Sequence, residues 1–81
     1  MAKPFWTRHR GPYRLVLTRP GKKEGTHTLK WVQSNCESGQ DAEDEARALL
    51  ADPRDTIVNV HVWSETEQQF VCGYAKENVC D

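Results

Sequence analysis

The most reactive side chains in this sequence are three histidines, His9, His27 and His61, and three cysteines, Cys36, Cys72 and Cys80. A thiolate beside an imidazole is a nucleophile, and spacing alone permits Cys36 or Cys72 to meet His61 in a fold. Nothing in the sequence supports that pairing. Structural zinc sites use C-x-x-C and H-x-x-x-H spacings, and neither occurs, so no metal site is expected. There is no G-x-S-x-G, no Walker loop and no dinucleotide fingerprint. The stretch "GKKEG" (Gly21–Gly25) places a lysine after a glycine without the phosphate-loop spacing.

Carboxylates are the second group able to do chemistry. Between Cys36 and Asp55, "CESGQDAEDEARALLADPRD" holds seven acids against two bases, Arg47 and Arg54. Paired carboxylates do acid–base work when their environments drive their pKa values apart. On a wet amphipathic helix they share one environment, and no D-x-D-x-D-G calcium loop is present. The chain is expected to be a non-enzyme without cofactor, and the acids to serve solubility, helix stability or a partner.

The formal net charge of −1 conceals an asymmetry. Residues 1–30 hold eight bases and one acid; residues 31–81 hold three bases and eleven acids. Such a dipolar chain implies a charged partner of either sign, or two halves that neutralise each other on folding. At 81 residues the chain is expected to form one domain, 1–81, with one small core and little bulk to enclose a deep cleft. No apolar run reaches the ~18–20 residues of a membrane helix, and "MAKPFWTRHR" lacks an apolar signal region. A cytoplasmic protein is expected. Its odd cysteine count reads as free thiols, with Cys72 packed and Cys80 able to join chains on oxidation.

These groups must be positioned by few elements. "YRLVLTR" (Tyr13–Arg19) alternates as a strand, with Tyr13, Leu15 and Leu17 on one face. "PGKKEG" is a charged connection, and "THTLKWVQ" (Thr26–Gln33) alternates again, with Leu29 and Trp31 together. A helix is predicted from about Ala42 to Ala51, capped by Ser38 or Asp41 and stopped before Pro53. Its buried stripe is Ala42, Ala46, Leu49 and Leu50, and Glu43 with Arg47 forms an i,i+4 pair. Asp41, Glu45 and Asp52 fall on one flank, with Asp44 further round, and no local cation accounts for them.

"TIVNVHVW" (Thr56–Trp63) is the clearest strand. Val58, Val60 and Val62 are placed on one face, and Ile57, Asn59, His61 and Trp63 on the other. "QFVCGYA" (Gln69–Ala75) is the fourth strand, alternating Phe70, Cys72 and Tyr74 against Val71 and Gly73. The fold class is thus α+β: a four-stranded antiparallel sheet with one helix on one face, in the order ββαββ. The valine face meets the helix. The other face carries Trp63 and His61, joined by Trp31 or Tyr74, with nothing to cover it. An apolar face that large marks a binding site or a homodimer interface.

Two binding readings follow. In one, the basic half meets nucleic acid: "KPFWTRHRGPYR" interleaves Lys3, Arg8, Arg10 and Arg14 with Phe5, Trp6 and Tyr13, and Arg19, Lys22 and Lys23 form a basic tip. Against it, Phe5 and Trp6 would equally well close the core, and the acidic half would repel phosphates. In the other, the acidic flank of Asp41, Asp44, Glu45 and Asp52 meets a cationic protein surface. Trp63 on the aromatic face, or the basic hairpin, then adds contact.

A hairpin, the helix "DAEDEARALLADP", then the hairpin "TIVNVHVWSETEQQFVCGYA", in a short chain without a catalytic motif, resembles the small anti-CRISPR proteins of phages and other mobile elements. The resemblance covers most of the chain in outline and rests on size, element order and charge. It implies stoichiometric binding to a type I CRISPR surveillance complex in a host cytoplasm. Such binding would occlude the surface that takes target DNA, with Asp41, Glu45 and Asp52 on cationic residues of the complex. Contact through Arg19, Lys22 and Lys23 would instead imply an acidic patch or the nucleic acid itself.

Overall fold

The computed structural model describes residues 4–33 and 35–76. Lys3, Cys80 and the C-terminal tail lie outside the described residues. The elements are a 3₁₀ turn at Phe5–Thr7, β1 (Tyr13–Pro20), β2 (His27–Trp31), α1 (Gly39–Ala51), β3 (Asn59–Ser64) and β4 (Gln69–Ala75). The four strands form one antiparallel sheet in the order β2-β1-β3-β4, and α1 packs on one face. The α+β ββαββ expectation is what the chain adopts. Because β1 lies between β2 and β3, the helix carries the chain across β1.

Alternation in β1 sends Tyr13, Leu15 and Leu17 to the helix side, where they join Ala42, Ala46, Leu50, Ile57, Val60 and Val62 in the core. Leu15, Ala42, Ala46, Val60 and Val62 have no exposed surface. Each large aliphatic side chain among them contributes roughly 1.5–3 kcal/mol by leaving water. The small residues at positions 42 and 46 let the helix lie close to the valines of β3.

Three local expectations are corrected. The helix begins at Gly39, one turn before Ala42, because Ser38 is the cap that acts: its Oγ accepts from the Asp41 amide at 3.1 Å. The third strand begins at Asn59, not Thr56. In the segment before it, Asp55 is turned toward Arg19 and Ile57 sinks into the core at 1 % exposure, while Val58 is only half-buried. The assignment of Ile57 to the outer face and Val58 to the core face is therefore reversed. Finally, a bulge between Val62 and Trp63 pairs Val62 with Cys72 but Trp63 with Phe70, skipping Val71. Phe70 thus lies on the open face, while Cys72 and Tyr74 pack on the helix side. Tyr74 is not part of the aromatic face.

The N-terminal segment is tied across the β3–β4 turn. Tyr13 Oη donates to the His9 carbonyl at 2.9 Å, Thr66 Oγ1 to the Gly11 carbonyl at 2.6 Å, and the Glu65 amide to the Pro12 carbonyl at 2.9 Å. The Glu67 carboxylate takes the Arg10 amide at 2.9 Å and His9 Nδ1 at 3.0 Å. These bonds, the one from His9 foremost, hold the Glu67 carboxyl below its usual range. Phe5 is buried edge-on to Trp6 and Tyr13, with ring centroids 5.1 and 5.2 Å apart. Phe5 and Tyr13 are buried and close the end of the core, with Trp6 half-buried against them.

A pH prediction arises at Arg19. Its Nε and a terminal nitrogen donate to the two oxygens of Asp55 at 2.9 and 3.0 Å. That fork, helped by the Thr56 and Ile57 amides, holds the Asp55 carboxyl down at about 2, from an ordinary 3.8. A depressed carboxylate stabilises the fold above its unfolded pKa, and the contribution fades as pH falls through the folded one. Asp55→Asn should lower the melting temperature at neutral pH, with the gap to wild type closing between about pH 5 and pH 2. Melting followed by circular dichroism at pH 7, 4 and 2 tests this; a gap independent of pH would contradict it.

Candidate functional site

The reactive side chains are dispersed. Cys72 lies on the helix side of the sheet and His61 on the open face against Phe70 and Gly73, so β3 and β4 separate the two groups. Cys36 sits half-buried where its backbone bridges Tyr13 through two bonds of 2.7 Å. Burial pushes the Cys36 thiol up, and Glu45 and Asp41 push it further. That is the opposite of what an activated nucleophile needs. Burial also raises the Tyr74 phenol, with Cys72 beside it. Among the described residues, no three of His, Cys, Asp and Glu converge as metal ligands would.

The acidic flank divides in two. Asp41, Asp44 and Glu45 line a shallow, open hollow of about 660 Å³ between α1 and the chain before it, with Asn35, Cys36, Glu37 and Ala48. Gln40 Nε2 donates to Asp44 at 3.0 Å. Among the described residues, none of Glu37, Asp41, Asp44 and Glu45 is ion-paired. Asp52 is separate and does have a local cation, which corrects the expectation. As the C-cap of α1, it accepts from the Arg54 amide at 2.9 Å and from Arg54 Nε at 3.4 Å. Glu43 pairs with Arg47 at 3.1 Å as expected, and the Arg47 guanidinium lies 5.8 Å from the Tyr74 ring centre.

The basic candidates also part company. Arg8 and Arg10 are exposed, as are Lys22 and Lys23 in the β1–β2 turn. Arg19 is withdrawn from that tip by its fork to Asp55, so the tip is two lysines. Arg14 lies on the open sheet face, its Nε 3.2 Å from Glu65 and 3.3 Å from Asn35, with the guanidinium 5.9 Å from the Trp31 ring centre.

Around Arg14 the sheet presents a continuous aromatic surface. Trp31 meets Trp63 edge-on at 5.8 Å and stacks on Phe70 at 6.1 Å; Trp63 meets Phe70 edge-on at 4.9 Å, and His61 meets Phe70 at 6.0 Å. Val16 and Thr18 are buried beneath, although no helix among the described residues covers this side. Leu29, Phe70 and Trp31 remain 68, 52 and 43 % exposed. Sequence reasoning singled out Trp63 here and missed Phe70. The strict alternation of "QFVCGYA" put Phe70 with Cys72 and Tyr74, and a bulge has no reliable sequence signal.

The described residues thus present an acidic, concave surface beside the helix and an aromatic, nearly uncharged one on the open sheet face, with Asn35 lining the first and accepting from Arg14 on the second. Comparison with family models, with curated proteins and with solved structures finds no match.

Proposed function

We propose that the protein is a non-enzymatic inhibitor that binds another protein, seating its acidic helix edge on a cationic surface. The observation that carries this reading is the hollow at Glu37, Asp41, Asp44 and Glu45. Four carboxylates stand around one concavity with no ion pair among the described residues, while Arg14, Arg19, Arg47 and Arg54 are each engaged by an acid elsewhere. Carboxylates left without local cations are positioned to pair with those of a partner, and the same charge steers encounter. A protein's own nucleic-acid-binding groove is such a cationic surface. In the specific form that the anti-CRISPR resemblance supplies, the target is a type I surveillance complex and the outcome is exclusion of target DNA.

The test is a tagged pull-down from nuclease-treated lysate of a bacterium expressing a type I complex, read by mass spectrometry. Recovery of subunits of that complex is expected. Asp41→Lys with Glu45→Lys should weaken capture by at least about tenfold, since close charge pairs at interfaces couple by more than ~1.4 kcal/mol. Capture indifferent to that double reversal would remove the acidic edge from the interface.

A second reading has one observation in its favour. The acids of the helix lie across the sheet from Arg14 and Trp31, so they do not stand over the aromatic face. Single-stranded nucleic acid stacked there, with Arg8 and Arg10 toward phosphates, would bind with steep salt dependence.

A further inference from the structure

We propose that two copies of this chain associate through the open sheet face, sheet against sheet, with the helices outward. The inference is independent of what the acidic edge binds.

The first argument is the apolar character of the face. Leu29, Trp31 and Phe70 are the large apolar side chains most exposed among the described residues, and the register places all three on this one surface, where Trp31 and Phe70 join Trp63 and Phe70 meets His61. Scattered single apolar residues are ordinary on a surface; a joined aromatic patch marks an interface. The bulge at Val62/Trp63 is a second, independent mark. Without it Phe70 would fall on the helix side with Cys72; with it Phe70 completes the open cluster. Bulges characteristically re-aim a side chain in this way.

Charge selects the occupant. Among residues that the register places on this face, Arg14 alone carries a fixed charge, and Glu65 and the Trp31 ring engage it. An acidic partner would find little here to bind, and a basic partner would find its acids on the other side of the molecule. A second copy adds to this face only another Arg14, each paired with its own Glu65, whereas helix to helix it would set Asp41, Asp44 and Glu45 against themselves. A two-fold dimer needs a self-complementary patch, and only the neutral surface qualifies.

Area sets the scale. Four strands at ~4.8 Å spacing and about seven residues at ~3.3 Å make a face of roughly 19 × 23 Å. Two copies, with the relief of indoles and phenyl rings included, then bury on the order of 1,000 Å², the lower bound for a specific interface. The two sheets would sit ~10 Å apart, as in a sandwich. Both acidic edges would face outward, giving a bivalent particle.

Sedimentation velocity of the full chain with reductant, from about 1 to about 300 μM, tests this across the micromolar range of dissociation constants. The mass should move from 9.3 kDa toward twice that value. Emission from Trp31 and Trp63 should shift to the blue in step. Leu29→Asp and, separately, Phe70→Asp should each raise the dissociation constant by more than about 100-fold, because each buries an unpaired charge twice over. Leu29 is so exposed that its variant should keep the wild-type melting temperature even if Phe70→Asp does not fold. Asp41→Lys with Glu45→Lys should leave the dimer intact, so failure of the acidic-edge reading and failure of this one are distinguishable. A monomer throughout the range would overturn the proposal. So would a dimer indifferent to Leu29→Asp, which would place the contact at a strand edge. Capture of a single-stranded oligonucleotide by a monomer, with tryptophan quenching, would also overturn it and hand the face to nucleic acid.

Discussion

Leu50→Ala should lower the stability of the fold by about 3 kcal/mol, the middle of the range for a buried leucine truncated in a close-packed core. Leu50 is 1 % exposed and belongs to the cluster that joins α1 to the sheet. The loss has two parts: the transfer of the removed carbons, and the cavity that neighbouring β-branched side chains cannot collapse to fill. A domain this small has a total stability of only ~4–12 kcal/mol, so one residue holds a large share of it. The helix cannot compensate, because thirteen residues are marginal as an isolated helix and depend on docking. Urea unfolding should show a lower midpoint with an unchanged slope. Leu49→Ala is the control: its side chain is half-buried, and its cost should be less than half as large. Equal costs for the two would mean that the helix is not seated on Leu50.

Why position 50 outranks position 49 was partly legible. Periodicity placed Ala42, Ala46, Leu49 and Leu50 on one arc, and all four do face the sheet. What periodicity lacks is depth, since a stripe about 100° wide does not say which residue lies at its centre. The strands behave alike. Tyr13, Leu15 and Leu17 alternate in sequence and in space, because β1 is central and flat-paired on both sides. Ile57 and Phe70 were misplaced, each beside a break in the ladder. Ile57 precedes the first paired residue of β3, and Phe70 sits at the bulge. Period-two reasoning holds only while every residue is paired, and one extra residue sends each later side chain to the other face.

Of the surfaces, the acidic edge was readable as charge and the aromatic face as uncovered sheet. The concavity at Asp41, Asp44 and Glu45 was not. It depends on the 35–37 segment lying alongside α1, held by the bridge between Cys36 and Tyr13. The separation of Asp52 from that hollow was equally hidden, because it turns on Arg54 folding back past Pro53. Long-range pairings such as Arg19 with Asp55 decide which bases stay free, and sequence distance says nothing about them.

Gly39 makes the same point most sharply, and its substitution is the second large effect expected. In the sequence it reads as a loop glycine, in "SNCESGQD". In the fold it is buried in the first turn of α1, with ordinary helical backbone, so conformational freedom is not the reason for glycine. A Cβ there would overlap the Cβ and Cγ of Trp6. Two effects compete in Gly39→Ala. Alanine is the better helix former by up to ~1 kcal/mol. Against that, the contact is with the root of the Trp6 side chain, which cannot swing away like a flexible tip. Relief requires the 3₁₀ turn to lift, and that turn is anchored by buried Phe5 and by the bonds from the Thr7 and Arg8 amides to the Pro4 and Phe5 carbonyls. Loss of packing there should outweigh propensity, for a net destabilisation of about 2 kcal/mol. A double-mutant cycle isolates the cause. Trp6→Ala leaves the offending Cβ in place and should not rescue Gly39→Ala, whereas Trp6→Gly removes it and should recover ~1–2 kcal/mol as coupling. Additive costs in the Trp6→Gly cycle would mean that the overlap is not what forbids a side chain at position 39.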